Sequence, residues 1–423
     1  MRIKIDFLVN LVYNQIHGGM LMLCQFSFKN FMSYKNETVF DFQAASLPEF
    51  ENSLICLEKA DPLLPVSAVY GPNGGGKTNL IRALSCFITM IVSPIHELHK
   101  NRERMIFQQN VPCAPFIYDK NSANEPTEFQ IYFRTNGNEY RYYMAVLDER
   151  IVSESLYRKT IGGKKVATLF ERENNEIELG ASITKKSINT EINPKMPYLS
   201  FLSINYNIPQ IIEVQQWFER CIIRNYANPA TEVMMLFSED HPFKKPFIRA
   251  LNDMGIDIAD YRFDREAKQF RIQRTVKNEP YDLPFDLESD GTKKLFAALP
   301  LIMLALQEGR LIIVDELDAK LHPKLLKYLI SMFTNPKVNK KGAQLLFTSH
   351  DLTTMKNDVF RRDEIWFAAL DDARSSEIYS LYEIRKEDGN RVNNTASYDK
   401  QYLEGRYGAD PYLQAMIRWE ELV

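Results

Sequence analysis

A glycine-rich turn between a strand and a helix constrains this chain more than any other feature. In "SAVYGPNGGGKTNLIRAL", an apolar strand at 66–70 leads into the turn at 71–78, and a helix follows from Thr78. The turn fits the spacing G-x-x-x-x-G-K-[ST], in which glycines let successive backbone N–H groups converge on anionic oxygens. A strand, this turn and a helix in succession predict a phosphate-binding loop in an α/β fold.

The spacing also predicts which residues of the loop bind ATP and magnesium. Backbone groups of Asn73, Gly74 and Gly76 are expected to surround the phosphates, and Lys77 is expected to reach the β- and γ-phosphates. The Thr78 hydroxyl is expected to bind Mg²⁺. A chance glycine turn is the alternative, and the flanking strand and helix disfavour it.

A second motif, "GRLIIVDELDAKLHP", is interpreted as the catalytic partner of the loop. Its apolar residues 311–314 predict a buried parallel strand that ends at Asp315 and Glu316. A carboxylate at that position holds Mg²⁺, which is the role predicted for Asp315. Glu316 is predicted to polarise the attacking water as general base. Such a pattern is common by itself and becomes informative because a phosphate loop precedes it.

The segment "GAQLLFTSHD" predicts a further strand at 344–348 that ends close to His350. This strand is expected beside the Asp315 strand, so that both end at the carboxyl edge where such sheets bind ligands. His350 is therefore predicted to contact the γ-phosphate and to sense its loss. A purely structural histidine is the alternative.

The order of four segments, "GPNGGGKT", "ESDGTKK", "LIIVDELDAKLHP" and "LLFTSHD", resembles an ABC-type ATPase head, close to the chromosome-maintenance, RecF and OLD-nuclease heads. The opening "FSFKNFMSYKNETVFDF" resembles their first hairpin. The C-terminal "YLEGRYGADPYL" resembles the stand-alone bacterial ATPases of the RloA and AbiLi type, found in phage-defence and abortive-infection operons. The resemblance implies an α/β P-loop head with a mixed sheet, a β-rich flank and a helical lobe.

By this resemblance, Ser289 and Gly291 of "ESDGTKK" belong to the signature motif. In such heads the motif contacts the γ-phosphate of ATP bound to the opposite protomer, which implies a homodimer or a higher homo-oligomer. The hydroxyl, the backbone N–H groups and the N-terminus of the following helix all favour an anion. Ser289 as a simple helix N-cap is the alternative reading, and the two roles are compatible.

The chain departs from these heads at three places. Met32 stands where an arginine is usual, so the contact made by that side chain is lost. His322 stands where chromosome-maintenance heads place a loop aspartate, and Asp318 is a candidate to take over its role. Gln108 and Gln109 are the candidates for the glutamine that senses Mg²⁺.

The motifs also predict how the chain is organised. No window sustains heptad a and d positions, so no long coiled coil is expected. Met20 or Met22 is interpreted as the native start, because strand-like sequence begins there. The expected units are an extension at 1–21, the ATPase core with β-rich flank at 22–200, a helical lobe at 201–285, the core with the remaining motifs at 286–370, and a C-terminal element at 371–423.

Composition narrows the cellular setting. A net charge of −3 gives no support to a nucleic-acid partner, and Lys356, Arg361 and Arg362 are interpreted as a solvated surface. The five cysteines are scattered without a CxxC pair, which fits a reducing cytoplasm. The apolar runs at 84–94 and 295–306 are shorter than the ~20 residues that a membrane span needs, so no membrane association is expected.

Three functions fit the motifs. The favoured one is an ATPase that acts as a dimeric switch and controls an effector protein from the same operon, a nuclease or toxin, in bacterial anti-phage defence. A RecF-like DNA-directed ATPase is the second candidate. The acidic composition and the lack of a predicted long coiled-coil arm disfavour it. A low-turnover scaffold that sequesters a toxin is disfavoured by the pair Asp315-Glu316, because a scaffold needs no general base.

Overall fold

A computed structural model describes residues 20–98, 111–183, 187–236, 243–264, 269–385 and 389–409. The extension expected at 1–21 therefore lies outside the described residues except for Met20 and Leu21. Gln108 and Gln109 also lie outside them, as do the last residues of "YLEGRYGADPYL".

Strands form three sheets. In chain order they are β1 (Met22–Lys29), β2 (Thr38–Asp41), β3 (Val66–Tyr70), β4 (Thr127–Thr135), β5 (Asn138–Leu147), β6 (Arg150–Thr160), β7 (Val166–Glu173), β8 (Glu176–Leu179), β9 (Ile222–Arg224), β10 (Asp260–Asp264), β11 (Gln269–Val276), β12 (Glu279–Pro284), β13 (Leu311–Val314), β14 (Gln344–Thr348), β15 (Ile365–Leu370) and β16 (Ser376–Ser380).

Helices connect and cover these sheets. They are α1 (Lys77–Leu98), α2 (Tyr198–Asn205), α3 (Pro209–Arg220), α4 (Pro229–Leu236), α5 (Lys244–Asp253), α6 (Asp290–Glu308), α7 (Pro323–Thr334) and α8 (Tyr398–Leu403).

The central sheet has the order β16-β15-β3-β14-β13-β9. Its neighbours pair in parallel from β15 to β9, and only the edge strand β16 runs antiparallel. Continuous apolar runs form these strands because both faces of the sheet are covered. The strands predicted at 66–70, 311–314 and 344–348 are confirmed, and β14 lies directly beside β13 as expected.

Two apolar cores hold this sheet from opposite faces. Ile312 and Val314 point into a core with α6 and α7, whereas Leu311 and Ile313 point into a core with α1 and the β-rich flank. This alternation follows from the two-residue period of a strand. It fixes the face of the sheet to which each side chain points, while the parallel pairing sets the edge at which the strands end.

The β-rich flank is an antiparallel sheet of order β2-β1-β4-β5-β6-β7-β8. It is the β-rich flank that the resemblance implied. Phe87 of α1 stacks on Phe129 of the flank, with ring centroids 5.2 Å apart. Aromatic packing of this kind attaches the flank to the helix that follows the phosphate loop.

Residues 201–285 were expected to form a helical lobe. They contain α3, α4 and α5, together with the three-stranded sheet β10-β11-β12. The strand β9 from the same range joins the central sheet beside β13. Trp217 and Phe218 of α3 are fully buried against the flank, where they belong to its apolar core.

The expected fold class is confirmed: a mixed α/β head with a β-rich flank, and no long coiled coil among the described helices. One described helix, α1, is long and apolar enough to cross a membrane by the criteria of length and composition. Most of its apolar window is buried inside the protein, as in a core helix.

The interpretation of Arg361 as a solvated residue is wrong. Arg361 is fully buried, because its guanidinium donates to Asp363 Oδ2 at 2.9 Å and to the backbone oxygen of Ala45 at 3.0 Å. Arg362 pairs with Glu49 at 2.7 Å and is largely buried, whereas Lys356 is exposed as expected. The two arginines fasten the segment after β2 to the start of β15.

Candidate functional site

The predicted motifs converge at the carboxyl edge of the central sheet. β3 leads into the phosphate loop, β13 ends at Asp315 and β14 ends just before His350. Parallel strands end at one edge, so their loops share one site. Two of these strands, β13 and β14, are direct neighbours, and β14 pairs with β3 on its other side.

Close backbone approaches explain two glycines of the phosphate loop. A Cβ on Gly71 would lie 2.1 Å from the backbone oxygen of Ala368. Gly76 has φ +113°, and a Cβ there would lie 2.5 Å from Ser376 Oγ and 2.9 Å from Tyr34 Oη. Only glycine adopts this loop so close to β15 and β16.

Lys77 lies buried beneath the loop that it follows. Its Nζ donates to the backbone oxygens of Gly71 and Pro72 at 2.8 and 3.0 Å. Burial lowers the pKa of Lys77, while Asp315, Glu316 and Asp318 oppose that shift. The structure therefore brings the phosphate-loop lysine and the three carboxylates of "DELD" into one electrostatic site.

Thr348, at the end of β14, contacts both the predicted magnesium ligand Asp315 and the backbone of the predicted general base Glu316. Its Oγ1 donates to Asp315 Oδ1 at 2.6 Å and accepts from the backbone N–H of Glu316 at 2.7 Å. Glu316 has a left-handed backbone, φ 51°, and an exposed side chain. Non-glycine residues rarely adopt this conformation, which costs ~1–3 kcal/mol and clusters at functional sites.

His350 and Asp318 are joined directly. The backbone N–H of His350 donates to Asp318 Oδ2 at 3.0 Å, and the His350 side chain is exposed. Asp318 Oδ1 is buried and accepts no hydrogen bond from the part of the chain that the structure describes. His322 caps α7, where its Nδ1 accepts from the backbone N–H of Lys324 at 3.2 Å. Asp318, rather than His322, therefore connects this loop to the predicted switch histidine.

The signature segment begins α6. Ser289 is the N-cap, since its Oγ accepts from the backbone N–H of Thr292 at 3.2 Å, and the cap reading is thereby confirmed. Ser289 and Asp290 are exposed. A Cβ on Gly291 would lie 2.8 Å from the backbone oxygen of Lys320, so the segment packs tightly on the loop that carries Glu316.

Lys294 connects α6 to the same loop. It is buried, and its Nζ donates to the backbone oxygens of Glu316 at 2.6 Å and Ala319 at 2.9 Å. Burial lowers its pKa to about 8 against the attraction of Asp318, Glu316 and Asp315. The motifs of the sequence do not predict a role for Lys294. Its position three residues after Gly291, on the same face of a helix, was the available signal.

The opening hairpin meets the phosphate loop, as the resemblance implied. Ser33 Oγ accepts from Asn79 Nδ2 at 2.8 Å and lies 2.8 Å from Ser376 Oγ. Tyr34 Oη donates to the backbone oxygen of Gly76 at 3.2 Å. Met32, in place of the usual arginine, has φ 48° and donates its backbone N–H to the Ala114 oxygen at 2.8 Å.

The oxygen ligands available here suit magnesium. Mg²⁺ is commonly held by one or two carboxylates or hydroxyls together with phosphate oxygens of the substrate. Thr78 supplies a hydroxyl beside Lys77, and Asp315 supplies a carboxylate that Thr348 orients. In the described ranges no group of three or more His, Cys, Asp or Glu side chains is placed to hold a metal ion, so a metal here would depend on the nucleotide for its remaining ligands.

Residues 66–356 match the model of the family described as "AAA domain, putative AbiEii toxin, Type IV TA system". The chain belongs to this family. The matched segment of this AAA domain contains every predicted motif from β3 to His350, so the chain is a P-loop ATPase domain by family. Among solved structures, the SMC head domain from Thermotoga maritima is similar, with 13% identity and a TM-score of 0.39 over 85% of this chain and 99% of that one. No curated protein matches significantly.

Proposed function

We propose that this protein is an ATPase that hydrolyses ATP between two copies of itself and acts as a dimeric switch. The observation that carries the proposal is the placement of the signature segment. Ser289 and Asp290 are exposed, yet Gly291 and Lys294 fasten the same segment to the loop of Glu316. A rigid, exposed turn with anion-binding groups suits a phosphate of ATP that is bound to a second copy of the chain.

Each predicted residue has a role in this chemistry. Backbone N–H groups around Asn73, Gly74 and Gly76 surround the phosphates of ATP, and Lys77 exchanges its bonds to loop carbonyls for phosphate oxygens. Glu316 takes a proton from the attacking water. His350 contacts the γ-phosphate from the end of β14.

Thr78 and Asp315 would hold magnesium with the nucleotide, where the ion supplies charge neutralisation for the phosphate oxygens. The chain itself provides the alignment. Thr348 fixes the carboxylate of Asp315 and the backbone of Glu316 relative to each other. Ser289 and Gly291 of the second copy complete the site at the γ-phosphate.

The output of the cycle is a change of shape. ATP favours the closed dimer only to the extent that it binds this form better than the open one, so hydrolysis reopens the pair. Within one copy, Lys294 connects the signature helix to the loop of Glu316. This contact connects the segment that would meet the ATP of the second copy to the loop that would meet the ATP of its own chain.

The cellular role that we propose is control of an effector, a nuclease or toxin from the same operon, in bacterial anti-phage defence. The resemblance of "YLEGRYGADPYL" to RloA- and AbiLi-type ATPases supports this role. The family description, which names a toxin and a toxin–antitoxin system, supports a partner of this kind. The proposed setting is the cytoplasm, with a homodimer or higher homo-oligomer as the working form.

The test compares ATP turnover of the wild-type protein with that of Glu316→Gln. Loss of a general base lowers the rate by ~10²–10⁴-fold and leaves ATP binding intact. A mixture of Ser289→Arg and Lys77→Ala chains should then regain part of the activity, because one composite site of the mixed dimer keeps both undamaged halves.

Other results would redirect the proposal. Equal turnover in wild type and Glu316→Gln would leave a nucleotide-holding scaffold. Stimulation by DNA that falls steeply with added salt would instead point to a DNA-directed ATPase. No recovery in the mixture would contradict the shared site.

A further inference from the structure

A cleft of about 480 Å³ opens beside the phosphate loop. One wall carries Asn73 and His350, two residues predicted to bind ATP. The other wall is apolar and consists of Leu370 at the end of β15 together with Leu403 and Ala409 of the C-terminal element. The cleft therefore begins at the phosphate site and continues onto an apolar surface.

The apolar wall is held firmly in place. Tyr402 of α8 stacks on Phe367 of β15, with ring centroids 5.5 Å apart and an interplanar angle of 11°. Tyr379 Oη donates to the backbone oxygen of Tyr407 at 2.6 Å. Leu403 nevertheless remains 69% exposed. The segment "YLEGRYGA" thus presents a leucine on a rigid support next to the nucleotide site.

A second exposed leucine precedes the signature segment. Leu287 is 74% exposed, and it lies two residues before Ser289. Single exposed apolar residues are ordinary, but this one has a fixed place relative to the site. Glu288 beside it forms an ion pair with Arg274 at 2.8 Å, which holds the turn that carries Leu287 in place.

We propose that Leu287 of a second copy inserts into this cleft, between the phosphate loop and Leu403, when ATP closes the dimer. The inference rests on the proposed shared site and adds to it a specific receptor, the C-terminal element. Two residues of extended chain span at most about 7 Å. A partner whose Ser289 reaches the γ-phosphate near Asn73 and His350 therefore has the backbone of Leu287 within about 7 Å of that serine, a distance from which its side chain can reach the same cleft.

The physical reason for such a contact is selective stabilisation of the closed state. Leu287 and Leu403 are both in water in the single chain and lose that exposure only on closure. A symmetric dimer makes the contact twice. The C-terminal element is therefore covered by the partner only in the nucleotide-bound dimer. Its exposed surface then differs between the open and the closed state.

The test uses two differently tagged chains, one with Leu287→Cys and the other with Leu403→Cys. Both carry Glu316→Gln, to hold ATP. Both also carry Cys56→Ser and Cys113→Ser, because Cys56 is exposed and Cys113 half-buried, whereas the other three cysteines are buried. Oxidation after mixing should give a disulfide between the two tags with ATP and magnesium, and much less without nucleotide. The matched control pairs Leu287→Cys with Val338→Cys, an exposed residue on the loop before β14, at the opposite edge of the sheet.

A second measurement needs no cysteine. Leu287→Asp should weaken the ATP-dependent dimer by about tenfold or more, which follows from burying a leucine side chain, and should leave ATP binding to the single chain unchanged. Leu287→Met should restore the dimer. Val276→Asp, at an exposed end of β11, is the matched control and should have no effect.

The outcomes separate this inference from the proposed function. If ATP produces a dimer and the Ser289→Arg with Lys77→Ala mixture recovers activity, but Leu287 joins Leu403 no better than Val338, the inference is overturned and the shared site stands. The same holds if Leu287→Asp dimerises like wild type. If ATP produces no dimer in any variant, both proposals fail together.

Discussion

The two halves of the proposed ATP site differ in how completely one chain builds them. In the phosphate-loop half, Lys77 donates to the Gly71 backbone oxygen at 2.8 Å and Thr348 donates to Asp315 at 2.6 Å, and the charge of Asp315 acts on Lys77. In the signature half, Ser289 and Asp290 are exposed. Among the described residues, the Ser289 hydroxyl forms hydrogen bonds only with Thr292 of its own helix turn.

This difference teaches that exposure and rigidity coexist in the signature half. Gly291 packs on the Lys320 backbone, Arg274 anchors Glu288, and Lys294 donates to the loop of Glu316. The turn is thus exposed and held in place, as the proposed contact with ATP on a second copy requires. Substitutions that disrupt one half and leave the other intact test this difference, as do changes to Lys294, which connects the two halves.

The largest effect is expected from adding a side chain to a glycine of the phosphate loop. Gly76→Ala places a methyl group 2.5 Å from Ser376 Oγ at φ +113°, which should cost ~2–5 kcal/mol of stability. ATP affinity should fall by about 100-fold or more, the equivalent of about 3 kcal/mol. Gly74→Ala is the control for backbone strain, because Gly74 also has a positive φ, +80°, but no atom lies within 4 Å of its Cβ position. Titration with a fluorescent nucleotide measures both, and equal losses would show that the close approach is unimportant.

A smaller effect is expected at the junction between the halves. Lys294→Met removes the donor to the Glu316 and Ala319 oxygens without leaving a buried charge. Turnover should fall ~10- to 100-fold through misplacement of Glu316, while ATP affinity stays near the wild-type value. Lys327→Met, at an exposed ion pair with Asp358, is the control. Steady-state kinetics with separate binding measurements would contradict this if affinity and turnover fell together.

A third prediction concerns Thr348, within the phosphate-loop half. Thr348→Val keeps the shape but removes the hydroxyl that contacts Asp315 and Glu316, at an expected cost of ~1–3 kcal/mol in the free energy of unfolding. Turnover should fall more than stability explains, because Glu316 loses its backbone anchor. Thr334→Val, whose hydroxyl makes only a 3.5 Å contact on α7, is the control. Denaturant unfolding and turnover, measured on the same samples, separate the two contributions.

The smallest effect is a pH dependence from Lys294. Its folded-state pKa, lowered to about 8, lies below the ordinary lysine value, so the unfolded chain binds more protons between these two values. The free energy of unfolding should therefore rise with pH above about 8, by at most ~1.4 kcal/mol per pH unit. Comparing wild type with Lys294→Met across that range isolates the contribution. An identical pH slope in both proteins would rule out this buried titration.

Much of the fold and the site was predictable because the signals are local. Alternation and apolar runs predicted β3, β13 and β14, and the neighbouring position of β13 and β14 followed from the rule that ligand-binding loops share one edge. The spacing of "GPNGGGKT" predicted a loop that the structure shows as a glycine-dependent turn against β15. These inferences needed only residues close together in sequence.

Other features were not predictable from such signals. Thr348 looked like an ordinary strand residue in "LLFTSHD", and Lys294 looked like a surface lysine in "GTKK". Arg361 was misjudged for the same reason, since a charged residue is usually exposed unless distant partners surround it. Its partners include the Ala45 backbone, 316 positions away.

The sequence by itself determined the phosphate loop and the Asp315-Glu316 strand end, because backbone conformation and residue spacing specify these within a few positions. The signature turn was indicated by the family resemblance of its motif. Only the tertiary structure decided what holds them together. Ser33 meets Ser376 across 343 residues, and Asp315 meets Thr348 across 33. The physical reason is that burial and hydrogen-bond partners depend on which surfaces the folded sheet brings into contact, and no local pattern encodes that choice.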